Sequence, residues 1–170
     1  MTAQTVDSFF PSSDYKVPTT SNYMKFVEGK NKFRVLSSAI VGYEYWNTEN
    51  KPVRSETPFD ETPGIKPDGK INHFWAFIVY SYDAKKIQIL ELTQKSIMNY
   101  IQGLVNDEAW GNPKGFDLVV NRKGSGMDTE YTTVANPHTK VDPAIIEQFE
   151  KSKIDLRALY SGLDPFTVEK

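Results

Sequence analysis

The stretch HFWAFIVYSYDAKKIQILELT, residues 73–93, decides the fold class of this chain. Its two apolar runs are rich in β-branched and aromatic residues, which favour strands. The polar tetrapeptide DAKK separates the runs and is short enough for a tight turn. The stretch therefore predicts a β-hairpin and makes an antiparallel sheet the expected centre of the fold.

The register of this hairpin determines which side chains are buried. With Ala84 and Lys85 at the centre of the turn, Tyr82 pairs with Ile87. We assign the more uniformly apolar face to the core, because alternate side chains of a strand point to opposite sides. Its members are Trp75, Phe77, Val79, Leu90 and Leu92. Tyr80 and Tyr82 are then expected on the outer face.

Regular elements are also predicted on both sides of the hairpin. A strand rich in β-branched and aromatic residues runs from Phe33 to Trp46, with Gly42 marking a bulge or bend. Residues 47–72 hold four prolines and two glycines, so a long connection without regular structure is expected there. After the hairpin, Thr93 caps a helix, and FDLVVNR and TEYTTVA predict two further strands across the turn KGSGMD.

The order of these elements is strand, long loop, two strands, helix and two strands, followed by short C-terminal helices. A helix between the third and fourth of five strands is the connectivity of an OB-fold, so we predict a mainly β, five-stranded OB-fold barrel. The chain divides into an extended arm at 1–22, the barrel domain at 23–141, C-terminal helices at 142–162 and a tail at 163–170.

Composition narrows the class of protein. The chain has no cysteine, which excludes disulfide bridges and thiolate zinc sites and suits a reducing cytoplasm. No apolar run is long enough for a membrane helix, and MTAQTVDSFF lacks the pattern of a signal peptide. The net charge is −2, but residues 23–140 hold 15 basic against 14 acidic side chains. We expect a protein without a membrane or cofactor partner, whose central part permits a basic groove.

Catalytic chemistry has little support in the sequence. His73 and His138 lie in loop contexts with no nucleophile motif near them. Carboxylates on the predicted strands, at Glu91, Asp117 and Glu130, are expected to face solvent rather than to converge on a pair of metal ions. The glycine-rich KGSGMD lacks the Lys-Ser/Thr ending of a phosphate loop. We therefore predict that the protein is not an enzyme.

The aromatic side chains point instead to binding. Rings crowd into the first three predicted strands in greater number than a small barrel interior can hold, so several are expected outside. Exposed rings beside cations are the ingredients of single-strand binding, because bases stack on rings and phosphates pair with cations. The outer face of the second and third strands, with the loop after the first, is where OB-folds bind such ligands. The candidate nucleic-acid-binding residues are Tyr43, Tyr45, Trp46, Tyr80, Tyr82, Lys32, Arg34, Lys51, Arg54, Arg122 and Lys123.

Three blocks of the sequence resemble the OB-fold single-stranded-DNA-binding proteins of tailed bacteriophages. They are YMKFVEGKNKFRVLSSAIVGYEYW, HFWAFIVYSYDAKKIQILELTQKSI and DEAWGNPKGFDLVVNRKGSGMDTEYTTVANP, and they span most of residues 23–137. The resemblance implies a protein that coats and protects single strands during phage DNA replication and recombination, in the cytoplasm of the infected bacterial host. It leaves contacts with phage or host replication proteins, and self-association, open. The chain departs from the family at SGLDPFTVEK, where many relatives carry a strongly acidic tail.

Two other functions stay open on the sequence alone. Aromatic rings stack on sugars as well as on bases, so an OB-type module that binds an oligosaccharide or a protein is the first alternative. Salt would separate it from a strand-binding protein, whose phosphate contacts weaken steeply as salt rises. The second alternative, a nuclease, would cleave labelled single strands in the presence of Mg²⁺.

Overall fold

The computed structural model describes residues 21–124 and 126–166, together with Phe9. Within this part of the chain the protein is mainly β, with seven strands and two α-helices. The strands are β1 (Gly29–Val35), β2 (Ile40–Trp46), β3 (Pro52–Ser55), β4 (Asn72–Ser81), β5 (Lys86–Leu92), β6 (Phe116–Lys123) and β7 (Glu130–His138). The helices are α1 (Lys95–Val105) and α2 (Pro143–Ser152), and a 3-10 helix follows at Leu156–Ser161. The predicted arm at 1–22 and tail at 163–170 lie largely outside the described residues.

The sheet is antiparallel and is centred on β4. This strand pairs with β5 along one edge and with both β1 and β2 along the other. β1 continues to β6 and β6 to β7, while β3 adds to β2. No ladder joins β5 to β7 in the described residues, so the sheet is open and the predicted closure into a barrel is not found. The free edge of β5 is occupied by residues 22–24, where the Met24 N–H donates to the Ile89 carbonyl at 2.8 Å.

The strand predicted from Phe33 to Trp46 is divided into β1 and β2 by an irregular step at residues 36–39. The step keeps its contact with β4, because the Ser37 hydroxyl accepts a hydrogen bond from the Ile78 N–H at 2.8 Å. A side-chain oxygen thus replaces a carbonyl of the ladder, which lets the backbone leave the strand conformation without leaving a buried donor unpaired.

β3 lies within the connection that we predicted to lack regular structure. It forms a hairpin with β2, and the Asn47 side chain fixes the turn by accepting hydrogen bonds from the N–H groups of Glu49 and Lys51. β3 packs so closely on β2 that a Cβ at Gly42 would lie 2.4 Å from the Ser55 carbonyl oxygen. The glycine therefore marks this close approach rather than the predicted bulge or bend.

The hairpin at 73–93 is confirmed, but its register differs from the predicted one by two residues. Tyr80, rather than Tyr82, pairs with Ile87, because a four-residue turn at 82–85 joins β4 to β5. A shift of two residues leaves each side chain on its predicted side of the sheet. The predicted core face is therefore confirmed. Phe77, Val79, Leu90 and Leu92 are buried there with α1, and Trp75 packs against them.

The opposite face of the sheet is also packed. Phe74, Ile78 and Ile89 are buried against α2 and the 3-10 helix that follows it, which bears out the predicted C-terminal helices. Tyr80 and Tyr82 lie on this face, as predicted, but they are half-buried against the same cluster. The face on which the sequence places a stacking surface is therefore partly covered.

Candidate nucleic-acid interface

A groove of about 660 Å³ opens between the edge of β5 and the start of β7. The segment that precedes β1 forms one wall, and the β2–β3 hairpin forms another. The lining side chains include four aromatic rings, one exposed lysine and a half-buried ion pair. They are Tyr23, Lys25, Phe26, Trp46, Arg54, Glu91 and Tyr131. We call this site the β5–β7 groove.

Strand ends and neighbouring side chains fix the positions of the four rings in the β5–β7 groove. Trp46 is the last residue of β2 and is 40% exposed, since the sheet ends beside it. Phe26 and Tyr131 have ring centroids 5.8 Å apart at a tilt of 58°, so they form one aromatic wall. Tyr23 packs edge-on against Phe166, with centroids 5.7 Å apart. Rings with one packed side and one accessible side are suited to stacking on flat ligands.

Arg122 positions the wall opposite Trp46. Its Nη1 donates a hydrogen bond to the Phe26 carbonyl at 2.9 Å, which ties the segment before β1 to β6. Lys123, the next residue, is exposed at the end of β6. Of these two predicted site residues, Arg122 therefore has a structural contact at the groove and Lys123 faces solvent.

The floor of the groove is an ion cluster of Arg54, Glu91 and Glu44. The guanidinium of Arg54 donates two hydrogen bonds to Glu91, at 3.1 Å from Nε and 3.0 Å from Nη2. Nε also lies 3.3 Å from Oε1 of Glu44, a residue that is only 4% exposed. Two carboxylates thus share one cation, and Arg54, predicted as a free phosphate contact, is already compensated. Glu91, predicted to face solvent, is paired as well.

The pKa of Glu44 is raised to about 8, first by burial and then by the hydrogen bond and charge of Glu91, against the opposing charge and hydrogen bond of Arg54. Desolvation disfavours the charged form of a buried carboxyl, and a second carboxylate beside it acts in the same direction. At neutral pH Glu44 therefore holds a proton, and the cluster is close to neutral.

The Glu44 carboxyl should make stability depend on pH. Its pKa rises on folding from 4.5 to about 8, so the folded state holds a proton that the unfolded state has lost between these values. The resulting stabilisation is fully present below about pH 4.5 and declines as pH rises towards 8. Between pH 5 and pH 8, the free energy of unfolding measured in urea should fall more for the parent than for Glu44→Gln. Glu130→Gln, at an exposed position of β7, should behave like the parent. Equal losses in the parent and Glu44→Gln would contradict the assignment.

Three of the predicted site residues converge on a single carboxylate away from the groove. Asp117 lies 3.2 Å from Nη1 of Arg34 and 3.8 Å from Nζ of Lys32, and it accepts a hydrogen bond from the Tyr82 hydroxyl at 2.8 Å. Arg34 is buried and also donates to the Lys114 carbonyl at 3.1 Å. These groups form a structural network, so Arg34 cannot act as a free phosphate contact. The prediction that Asp117 faces solvent is wrong, because this carboxylate is paired within the network.

The remaining predicted rings lie apart from the groove. Tyr45 is 1% exposed, and its hydroxyl donates to the Pro63 carbonyl at 2.8 Å, so its ring offers no face for stacking. Tyr43 is half-buried beside His73 and points to the side of β2 opposite Trp46. Tyr80 packs edge-on against Tyr82. Lys51 is exposed in the β2–β3 turn, next to the groove residue Pro52.

Four groove residues are not indicated by the sequence pattern: Tyr23, Lys25, Phe26 and Tyr131. The run YMKF precedes the first predicted strand, and no periodicity in it indicates that the segment fills the gap beside β5. Tyr131 belongs to a predicted strand in which alternation alone does not identify the ring that lies at a sheet edge. The available signal was compositional, since two rings flank a lysine within four residues.

Comparison of the chain with protein-family models, with curated proteins and with solved structures gave no match. Among the described residues, no group of three or more His, Asp and Glu side chains is arranged to hold a metal ion. The described helices are also too short and too polar to cross a membrane. The β5–β7 groove is therefore the observation on which a functional assignment rests.

Proposed function

We propose that the protein binds single-stranded DNA with little sequence preference and coats it during phage DNA replication and recombination. The observation that carries the proposal is the β5–β7 groove, with Tyr23, Phe26, Trp46 and Tyr131 on its walls. Every base has a flat face, so rings of this kind bind single strands without reading their sequence. The resemblance to the single-stranded-DNA-binding proteins of tailed bacteriophages supports the same function.

We also propose that the sheet is a variant of the OB-fold. If β1 and β2 count as one bent strand, the order of β4, β5, α1, β6 and β7 after it agrees with the OB connectivity. The pairings of such a barrel are present except that of β5 with β7. The segment at 22–24, which pairs with β5, stands where that pairing would occur. The β5–β7 groove then lies at the opening of the barrel.

The charges around the groove favour the binding of a polyanion with modest affinity. Lys25 lines the groove and is exposed, with no acidic partner within the described residues. Lys51 is exposed on the adjoining turn. Arg54 lies at the floor, but two carboxylates compensate its charge. Phosphate contacts are therefore expected from the two lysines rather than from Arg54.

Each lysine should account for about one phosphate contact. Lys25→Ala and Lys51→Ala are each expected to lower the slope of log affinity against log salt by up to about 0.7. The measurement is titration with oligothymidine at several salt concentrations. Lys151→Ala is the control, because Lys151 is exposed on α2 and paired with Glu147. If both groove variants have the same salt slope as the control, these lysines do not contact phosphates.

The function itself is tested by titrating the protein with oligothymidine at low and high salt while following tryptophan fluorescence. Strand binding predicts quenching and a steep loss of affinity with salt. Affinity for an oligosaccharide or a protein that is nearly independent of salt, with no response to oligothymidine, would favour the binding module instead. Cleavage of labelled strands in Mg²⁺ would favour a nuclease.

The proposal also places the protein in the cytoplasm of the infected bacterial host. Its candidate partners there are exposed single strands and the phage or host replication proteins that act on them. Self-association along a strand is compatible with a groove that opens at the surface of the domain.

A further inference from the structure

The Glu44–Arg54–Glu91 cluster gives the floor of the β5–β7 groove an unusual composition for a site that receives a polyanion. Arg54 and Glu91 line the groove, and Glu44 lies behind them in contact with Arg54. With both carboxyls ionised, the cluster carries a net charge of −1. With one proton on the pair, the cluster is neutral, and its repulsion of a phosphate backbone disappears.

Within the cluster, Oε1 of Glu44 is the oxygen that lacks a hydrogen bond. The Glu44 side chain is 6% exposed, and its Oε1 accepts no hydrogen bond from any described residue. The Nε–H of Arg54 lies 3.3 Å away but donates to Glu91 instead. A buried carboxylate oxygen without a donor is costly, and a proton shared with the neighbouring carboxyl removes that cost.

The charged and titratable groups around Glu44 can be assigned element by element. Arg54 faces it from β3 and Glu91 from β5. Tyr23, in the segment before β1, interacts electrostatically with both of these groups. It also interacts electrostatically with Asp164, near the C-terminal end of the described chain. From β4, the residue paired with Glu44 is Asn72, which does not titrate. Among the described residues, Arg54 is the cation that contacts Glu44.

We propose that protonation of Glu44, beside Arg54 and Glu91, regulates the β5–β7 groove, so that single-stranded DNA binds with uptake of a proton and dissociates more readily as pH rises above neutrality. This inference rests on the proposed function, because it requires a polyanion in the groove. It follows from a ratio of two carboxyls, one buried and one half-buried, to one guanidinium at the floor of that groove.

The direction and size of the effect follow from linkage. The pKa of Glu44 is about 8 without ligand, and nearby phosphates raise it further because they disfavour the carboxylate. A phosphate about 10 Å away, at an intermediate dielectric, raises it by about one unit. Affinity is then constant below pH 7 and falls about fivefold between pH 7 and pH 9.

The test compares the parent with Glu44→Gln, which keeps the volume of the side chain and mimics its protonated form. Affinity for oligodeoxycytidine is measured at pH 6.5, 7, 8 and 9 at constant ionic strength. Cytosine is used because it does not titrate in this range. The parent should weaken about fivefold, whereas Glu44→Gln should keep its affinity throughout. Glu130→Gln, which leaves the cluster intact, should follow the parent. Thermal melts at each pH confirm that the variants are folded.

Each result has a distinct meaning. Parallel pH profiles for the parent and Glu44→Gln, with tight binding at pH 6.5, would overturn the inference and leave the proposed function standing. Absence of binding at pH 6.5 would overturn the proposed function, and the inference with it. If Glu44→Gln does not fold, calorimetric titration of the parent at pH 8.5 in two buffers of different ionisation heat replaces it. Uptake of about half a proton per site is then expected, and no uptake would overturn the inference.

Discussion

Replacing Phe77 by alanine is expected to lower the free energy of unfolding by about 3–5 kcal/mol, the range for a buried phenylalanine. Phe77 is 4% exposed and lies on the face of β4 that packs against α1 and β1. Removing its ring leaves a cavity that the surrounding strands cannot close without losing their ladders. Such a loss is a large part of the stability of a domain of this size. Urea unfolding of the purified variant measures it directly.

Tyr80 and Val134 provide the matched comparisons for Phe77. Tyr80 is half-buried on the opposite face of β4, so Tyr80→Ala should cost less than Phe77→Ala, about 1–2 kcal/mol. Val134 is 51% exposed on β7, and Val134→Ala should be close to neutral. A larger loss for Tyr80→Ala than for Phe77→Ala would mean that the two faces of the hairpin are exchanged.

The second large effect is expected in binding. Trp46 and Tyr131 stand on different walls of the β5–β7 groove, and each is expected to stack on a base. Because stacking contributes roughly 1–3 kcal/mol per base, Trp46→Ala should weaken binding of oligothymidine about 5- to 150-fold. The double variant with Tyr131→Ala should weaken it about 30-fold or more, since two rings on different walls are expected to stack on different bases. Fluorescence anisotropy of a labelled strand measures both.

Tyr43→Ala is the control for these ring variants. Tyr43 points to the side of β2 opposite Trp46 and packs beside His73, so its loss should leave strand affinity unchanged. Thermal melts are needed to show that each variant is folded. If Tyr43→Ala weakened binding more than the double variant, the stacking surface would lie on the Tyr43 side of β2.

The fold could be predicted where local pattern and burial agree. The hairpin of β4 and β5 alternates so clearly that its core face was correct even with a register error of two residues. The break between β1 and β2 could not be predicted, because it depends on a bond between Ser37 and Ile78, which are distant in sequence. β3 was missed because Pro52 begins it, and proline at the first position of a strand reads as a loop signal.

The site was harder to predict than the fold, because the charge or aromatic character of a residue does not show which side chains pair with it in the folded protein. Trp46 was identified because it ends a strand of apolar residues beside a polar turn. Arg34 and Arg54 have the composition of phosphate contacts, yet Asp117 and the two glutamates pair with them across the sheet. Tyr131 gains its position from strand pairing that no local pattern specifies. Long-range register therefore decides which rings and cations remain available.

The central claim is that single-stranded DNA binds in the β5–β7 groove beside Trp46. The chain has three tryptophans, so a protein that keeps only Trp46, with Trp75→Phe and Trp110→Phe, reports on the groove alone. Its emission should be quenched by oligothymidine, and the quenching should follow the binding curve until the site is saturated. A second protein that keeps only Trp75 should respond little, because Trp75 lies beside α1 on the core face of the sheet. Quenching of Trp75 with no change in Trp46 would contradict the account.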